Sequence, residues 1–135
     1  MNKLQMALAA PLILLAGVAG AQHATKFYPE RPIAGDSITI SYNPDSTTLK
    51  GLAPVSGVLW LYRNNNWETH DLNMQMTDSG WVAKYLLPDN AAFMVSNFTA
   101  NGITDKGGKL TYAALISDKN GRQMPTAYAA WAFLR

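Results

Sequence analysis

The sequence predicts an all-β fold: a two-layer antiparallel immunoglobulin-like β-sandwich of about seven strands, carried by residues 22–135. Three observations predict it. Short runs rich in β-branched and aromatic residues recur between turn signals. Residues 37–42 alternate strictly between apolar and polar. Finally, no segment before the C-terminal tail sustains a 3.6-residue period, and no 20–50-residue repeat is visible. Composition agrees. With 48% hydrophobic and 15% charged residues and a net charge of +2, the chain is the opposite of a disordered one. It also lacks the clustered basic stripe that nucleic acid requires.

Residues 1–21 (MNKLQMALAAPLILLAGVAGA) read as a secretory signal peptide. Lys3 supplies the positive start, an uncharged apolar run follows, and Ala19-Gly20-Ala21 places small residues where a signal peptidase reads. The apolar run is shorter than a spanning helix of ~20 residues and contains Pro11, so no membrane span is expected after cleavage. The domain is therefore expected to be exported, periplasmic or extracellular. It contains no cysteine, so a lipoprotein anchor is excluded and core packing must replace disulfides.

In residues 37–42, Ile38, Ile40 and Tyr42 point one way and Ser37, Thr39 and Ser41 the other. Residues 58–62 (VLWLY) are apolar on both faces, as a central strand would be. Asn64-Asn65-Asn66 then turns the chain into residues 67–74, a more polar hairpin partner nearer a sheet edge. Residues 81–87 place Trp81, Ala83, Tyr85 and Leu87 on one side, which makes Trp81 a core residue. Residues 92–99 and 110–117 supply two more strands. Asp118-Lys119-Asn120-Gly121 fits a tight loop with Gly121 at positive φ. The tail, residues 125–135, is divided: alanine and leucine favour a helix begun by Pro125, while its aromatics favour a last strand. Strand is the reading adopted. The abrupt apolar end at Arg135 implies that the natural protein continues.

The chemistry-bearing residues form no catalytic constellation. With no cysteine, thiolate zinc sites, iron–sulfur clusters and cysteine nucleophiles are excluded. His23 lies just past the expected cleavage point. His70 sits on a polar strand without a serine motif, so it reads as a rim histidine. Asp118-x-Asn120-Gly121 resembles the start of a calcium loop but lacks its later ligands. Gly102 to Gly108 lacks the G-K-[ST] ending of a phosphate loop. The turn contexts of Asp36, Asp45, Asp78, Asp89 and Asp118 account for those acids. No cofactor, metal or enzymatic activity is expected. Asn97-Phe98-Thr99 matches a glycosylation sequon, which is coincidental in a bacterial export context.

Aromatic residues are the remaining candidates, because a flat exposed ring offers broad contact to the apolar face of a sugar at little entropic cost. Trp67, Trp60 and Tyr62 are the candidate platforms. Asn64, Asn65, Asn66 and Asp105 are their candidate polar partners.

The landmarks from Gly35 to Gly121 form an ordered series: the 35–44 stretch (GDSITISYNP), the 58–62 stretch, Trp67, Met74 and Met76, Gly80-Trp81, Phe98, Asn101-Gly102, Asp105, Gly107-Gly108 and Tyr112. In this order the chain resembles the β-sandwich module at the N-terminus of exported thioredoxin-like or redoxin-domain proteins of Gram-negative bacteria. It is similar, more distantly, to starch-binding carbohydrate modules. The first resemblance implies a non-enzymatic accessory or interaction module whose partner is a downstream cysteine-containing domain or another protein. The second implies a glucan ligand. Where the carbohydrate modules carry Asp-Asn-Asn, this chain has Asp105-Lys106-Gly107. That removes two amides for sugar hydroxyls and counts against the second reading.

Overall fold

The computed structural model describes residues 24–108 and 111–133. The expected signal peptide and His23 lie outside the described residues. The described residues form two antiparallel sheets packed face to face. Nine strands are present: β1 (Thr25–Tyr28), β2 (Ser37–Tyr42), β3 (Ser56–Arg63), β4 (Asn66–Leu72), β5 (Gln75–Thr77), β6 (Gly80–Leu86), β7 (Ala91–Ala100), β8 (Ile103–Asp105) and β9 (Tyr112–Leu115). One sheet has the order β1-β2-β6-β5. The other runs β4-β3-β7-β8, with β9 also paired to β7. No helix among the described residues is long and apolar enough to cross a membrane.

The all-β sandwich expected from the sequence is what forms. Six of the expected strands are present, and β1, β5 and β8, each of three or four residues, are additional. The 67–74 stretch is divided. Its first part is β4, an edge strand paired to β3, as its polarity implied. The chain then crosses to the other sheet, burying Met74 on the way, and continues as β5 against β6.

The tail is a correction. Residues Ala127–Phe133 form a helix, α1, rather than a last strand. A strand would put Ala127 and Ala130 on opposite faces, whereas a helix brings them to one face at i, i+3. That face is buried: Ala127 is 1% and Ala130 0% exposed, and Ala130 packs against Tyr62, Phe93 and Val95. Small side chains let the helix lie close to the aromatic surface of the sheet.

The core follows from the alternation. Ile38, Ile40 and Tyr42 of β2 and Trp81 and Ala83 of β6 face Leu59, Leu61, Met94 and Phe98 of the other sheet. Each fully buried large apolar side chain contributes about 1.5–3 kcal/mol. A polar cluster sits inside this core. Asp105 Oδ2 accepts from Tyr42 Oη at 2.7 Å and from Tyr112 Oη at 2.8 Å, and Asp105 Oδ1 accepts from the Gly107 N–H at 2.9 Å. Tyr42 stacks on Phe98 with ring centroids 3.9 Å apart, and its hydroxyl also lies 3.0 Å from Thr47 Oγ1.

Two stability predictions follow from this cluster. Asp105→Ala leaves two buried tyrosine hydroxyls and an amide without their acceptor, so it should cost about 3–5 kcal/mol in urea unfolding. The second concerns alkaline pH. Burial pushes the Tyr42 and Tyr112 hydroxyls well above the ordinary phenol range, with the Asp105 carboxylate acting in the same direction. Unfolded tyrosine ionises near pH 10, so above that pH the unfolded chain releases protons that the native state keeps. Stability is then flat from this source below pH 10 and falls above it, by about 1.4 kcal/mol per pH unit for each tyrosine. Urea midpoints from pH 8 to 11.5 should show the break, and Tyr112→Phe should roughly halve the pair's contribution to the slope. An unchanged slope in that variant would contradict the assignment.

Candidate functional site

The outer face of the five-stranded sheet, the one turned away from the core, is built by the second half of each alternation. Ser56, Val58, Trp60 and Tyr62 of β3 stand on it, since the register pairs Leu59 and Leu61 with core positions of β7. Across the sheet, Trp67, Tyr62, Phe93 and Leu115 form one row. Thr69, Trp60, Val95 and Ala113 form the next, and Asp71, Val58 and Asn97 a third. Helix α1 covers the first row and reaches Val95. Beyond it the face lies open.

That open part is a groove of about 380 Å³, lined by Trp60, Trp67, Val95, Asn97, Lys106 and Thr111. Trp60 is 39% exposed and supplies the free indole. Its orientation is fixed by chemistry: with the Asn97 amide turned to satisfy both its atoms, Asn97 Oδ1 accepts from Trp60 Nε1–H at 3.3 Å and Asn97 Nδ2 donates to Ser96 O at 3.0 Å. Trp67 is half-buried. Its ring centroid is 5.2 Å from that of Tyr62, and it meets Phe93 edge-on at 6.1 Å, a geometry aromatic pairs favour.

The structure brings together two of the residues singled out from the sequence, Trp60 and Trp67, as diagonal neighbours on adjacent strands. It does not bring the others. Tyr62 is 7% exposed beneath α1, so it supports Trp67 rather than offering a surface. Asn64 and Asn65 form the β3–β4 turn, both at positive φ (52° and 61°), as a hairpin of this kind demands. Asn64 Oδ1 accepts from Asn90 Nδ2 at 2.6 Å, and Asn66 Nδ2 donates to Asn64 O at 3.2 Å. Asp105 is 8% exposed and points into the core, with both oxygens engaged. It is a structural acceptor, not a groove residue.

Val95, Asn97, Lys106 and Thr111 are the lining residues that sequence reasoning missed. One signal was present. Phe93, Val95 and Asn97 share parity, so a strand buried on one face through Met94 and Phe98 had to present them on the other. Thr111 carries no such signal. It has φ +46°, a region β-branched residues rarely enter.

His70 is a rim histidine, as expected, but it is not alone. His70 Nε2 lies 3.1 Å from Glu68 Oε1, and Arg63 Nε donates to Glu68 Oε2 at 2.7 Å. The Arg63 guanidinium, and secondarily His70, hold the Glu68 carboxyl below its ordinary range. The His70 ring lies 5.4 Å from Tyr85 of the other sheet, so this cluster closes the edge of the sandwich. Among the described residues no group of three histidines, cysteines or carboxylates could hold a metal.

No protein-family model matches the chain, and no curated protein matches it. Among solved structures, the chain is similar to a cycloalternan-degrading enzyme from Trueperella pyogenes, with 26% identity and a TM-score of 0.39 over 58% of this chain and 10% of that one. A structure of a cycloalternan-degrading enzyme from Trueperella pyogenes in complex with cycloalternan gives 20% identity and a TM-score of 0.35, over 58% of this chain and 14% of that one. The chain thus spans a small part of either enzyme, and likenesses at these TM-scores do not define a shared fold. The resemblance to redoxin-associated modules gains no support from these matches.

The placing of Lys106 and Thr111 in the groove wall depends on a glycine. Gly107 has φ +82°, and a Cβ there would stand 2.9 Å from the Thr111 and Tyr112 backbone. Gly102 is equally left-handed at φ +78° but has open space around it. Gly107→Ala should therefore cost about 2–3 kcal/mol, against about 1 kcal/mol for Gly102→Ala. Urea unfolding of the two variants side by side checks this, and equal losses would refute the close packing of that wall.

Proposed function

We propose that this domain is a non-catalytic, exported carbohydrate-binding module that takes an oligosaccharide into the groove on the outer face of the five-stranded sheet. One observation carries the reading: an indole, Trp60, left open above an apolar groove while its N–H is tied down by Asn97. A sugar ring has an apolar face flanked by hydroxyls, so it suits a flat ring with polar groups beside it. Here Trp60 is the platform, Trp67 and Val95 extend the apolar floor, and Asn97 and Thr111 stand at the polar side. The non-catalytic part of the reading is supported by the lining itself, whose described residues include no carboxylate or histidine to serve as acid or base. The exported part is supported by the signal-peptide pattern of residues 1–21.

Stacking of this kind contributes about 1–3 kcal/mol per ring, by analogy with bases on aromatic side chains. Trp60→Ala should accordingly weaken binding at least fivefold in isothermal titration against a panel of neutral and acidic oligosaccharides. Its urea midpoint should fall less than that of Trp67→Ala, because the Trp60 ring is the more exposed of the two. Trp67→Ala is the poorer probe, since Trp67 also packs on Tyr62 and Phe93. Absence of both heat and a tryptophan fluorescence change at millimolar concentration across the panel would overturn the reading.

A further inference from the structure

We infer that the groove selects acidic oligosaccharides, those bearing uronate carboxylates, over neutral ones. This inference rests on the carbohydrate reading above and names the ligand class of the same groove.

The groove is chemically polarised. The two indoles, Trp60 and Trp67, stand on β3 and β4. On β7 stands Asn97, and beyond it Lys106 and Thr111. Lys106 follows Asp105, which pairs with Phe98. With Asp105 turned into the core, alternation places Lys106 on the outer face near Asn97. It is exposed, and no carboxylate pairs with it among the described residues. Asp71, which shares the third row of this face, lies on the far edge strand, with Val58 of β3 between it and Asn97, and does not line the groove.

Hydrogen-bonding capacity points the same way. The hydroxyls of a neutral sugar both donate and accept, so a neutral-sugar site needs acceptors to receive their protons. Two side chains among the described lining residues can accept, Asn97 and Thr111. The Asn97 oxygen receives Trp60 Nε1–H and keeps one lone pair, while the Asn97 nitrogen donates to Ser96 O and keeps one N–H. The one charged group among the described lining residues is the Lys106 ammonium, with three donors and no acceptor. Its complement is an acceptor on the ligand, and a carboxylate brings the strongest kind. A uronate ring supplies both requirements at once: an apolar face for Trp60 and an anion for Lys106.

The test pairs each acidic sugar with its own neutral counterpart. Tetragalacturonate and tetramannuronate are titrated into the protein beside the tetrasaccharides obtained from them by carboxyl reduction. At low ionic strength the acidic member of a pair should bind roughly three- to tenfold tighter, the range expected for a charge-assisted contact at a partly screened site. The gap should close as added salt shortens the screening length. Lys106→Met should remove the gap between the members, Lys106→Arg should keep it, and Trp60→Ala should weaken both members. Equal binding of acidic and neutral members, or a gap indifferent to Lys106→Met, would overturn this inference and leave the carbohydrate reading standing. Failure of every tetrasaccharide to bind would overturn both.

Discussion

A single buried carboxylate ties the two sheets of this protein together. Asp105 accepts from Tyr42 of the four-stranded sheet and from Tyr112 of the five-stranded one. Removing a carboxylate from water is expensive, and only several good hydrogen bonds offset it. Here three donors converge on its two oxygens. The same tyrosine is packed as well as bonded: Tyr42 lies flat on Phe98 while its hydroxyl reaches Asp105. In a chain without cysteine, this tie joins the two sheets by hydrogen bonds, a role that an inter-sheet disulfide fills in antibody domains. The third donor, the Gly107 N–H, belongs to the segment that walls the outer groove. The same carboxylate therefore positions both the core and the candidate site, one oxygen serving each.

The five-stranded sheet is worked on both faces, and the division along its outer face decides where a ligand can reach. Its inner face carries the core residues Leu59, Leu61, Met94 and Phe98. Outside, α1 covers the Tyr62–Phe93 row with Ala130, while Trp60 one row over remains open. Had the helix carried bulkier residues on that face, it would have stood further from the sheet and left the first row accessible. Its small residues bring it close, and Trp67 and Val95 become both its support and the margin of the groove.

The fold was legible because it is written in period-two alternation, strict in residues 37–42 and readable in residues 81–87, where Trp81, Ala83, Tyr85 and Leu87 share one face and Lys84 stands on the other. The short strands β5 and β8 were not, since three residues carry too little pattern to separate a strand from a turn. The tail misled for a physical reason: alanine and aromatics suit either structure, and only the Tyr62–Phe93–Val95 surface, a tertiary feature, selects the helix. For the site, aromatic content identified Trp60 and Trp67, but it could not reveal that Tyr62 is covered. Asp105 shows the sharper limit. Its position in a loop-like sequence, Thr104-Asp105-Lys106-Gly107, gives no hint that two tyrosines far apart in the chain converge on it. Lys106 escaped notice for the converse reason, since its place in the groove follows only once Asp105 is known to point inward.

Rigidity is what turns an exposed indole into a candidate binding surface. A solvent-facing tryptophan on a mobile loop must lose rotamer freedom whenever a ligand stacks on it, which weakens association. Trp60 has little such freedom to lose. It sits on β3, flanked by β4 and β7 on both sides, with its N–H held by Asn97 and its neighbours Trp67 and Val95 packed in turn against Tyr62, Phe93 and α1. Each support lies on regular structure rather than on a loop. On the groove's other side Lys106 stands beside Gly107, whose N–H donates to Asp105, so the buried carboxylate that joins the sheets also holds the backbone next to the lysine.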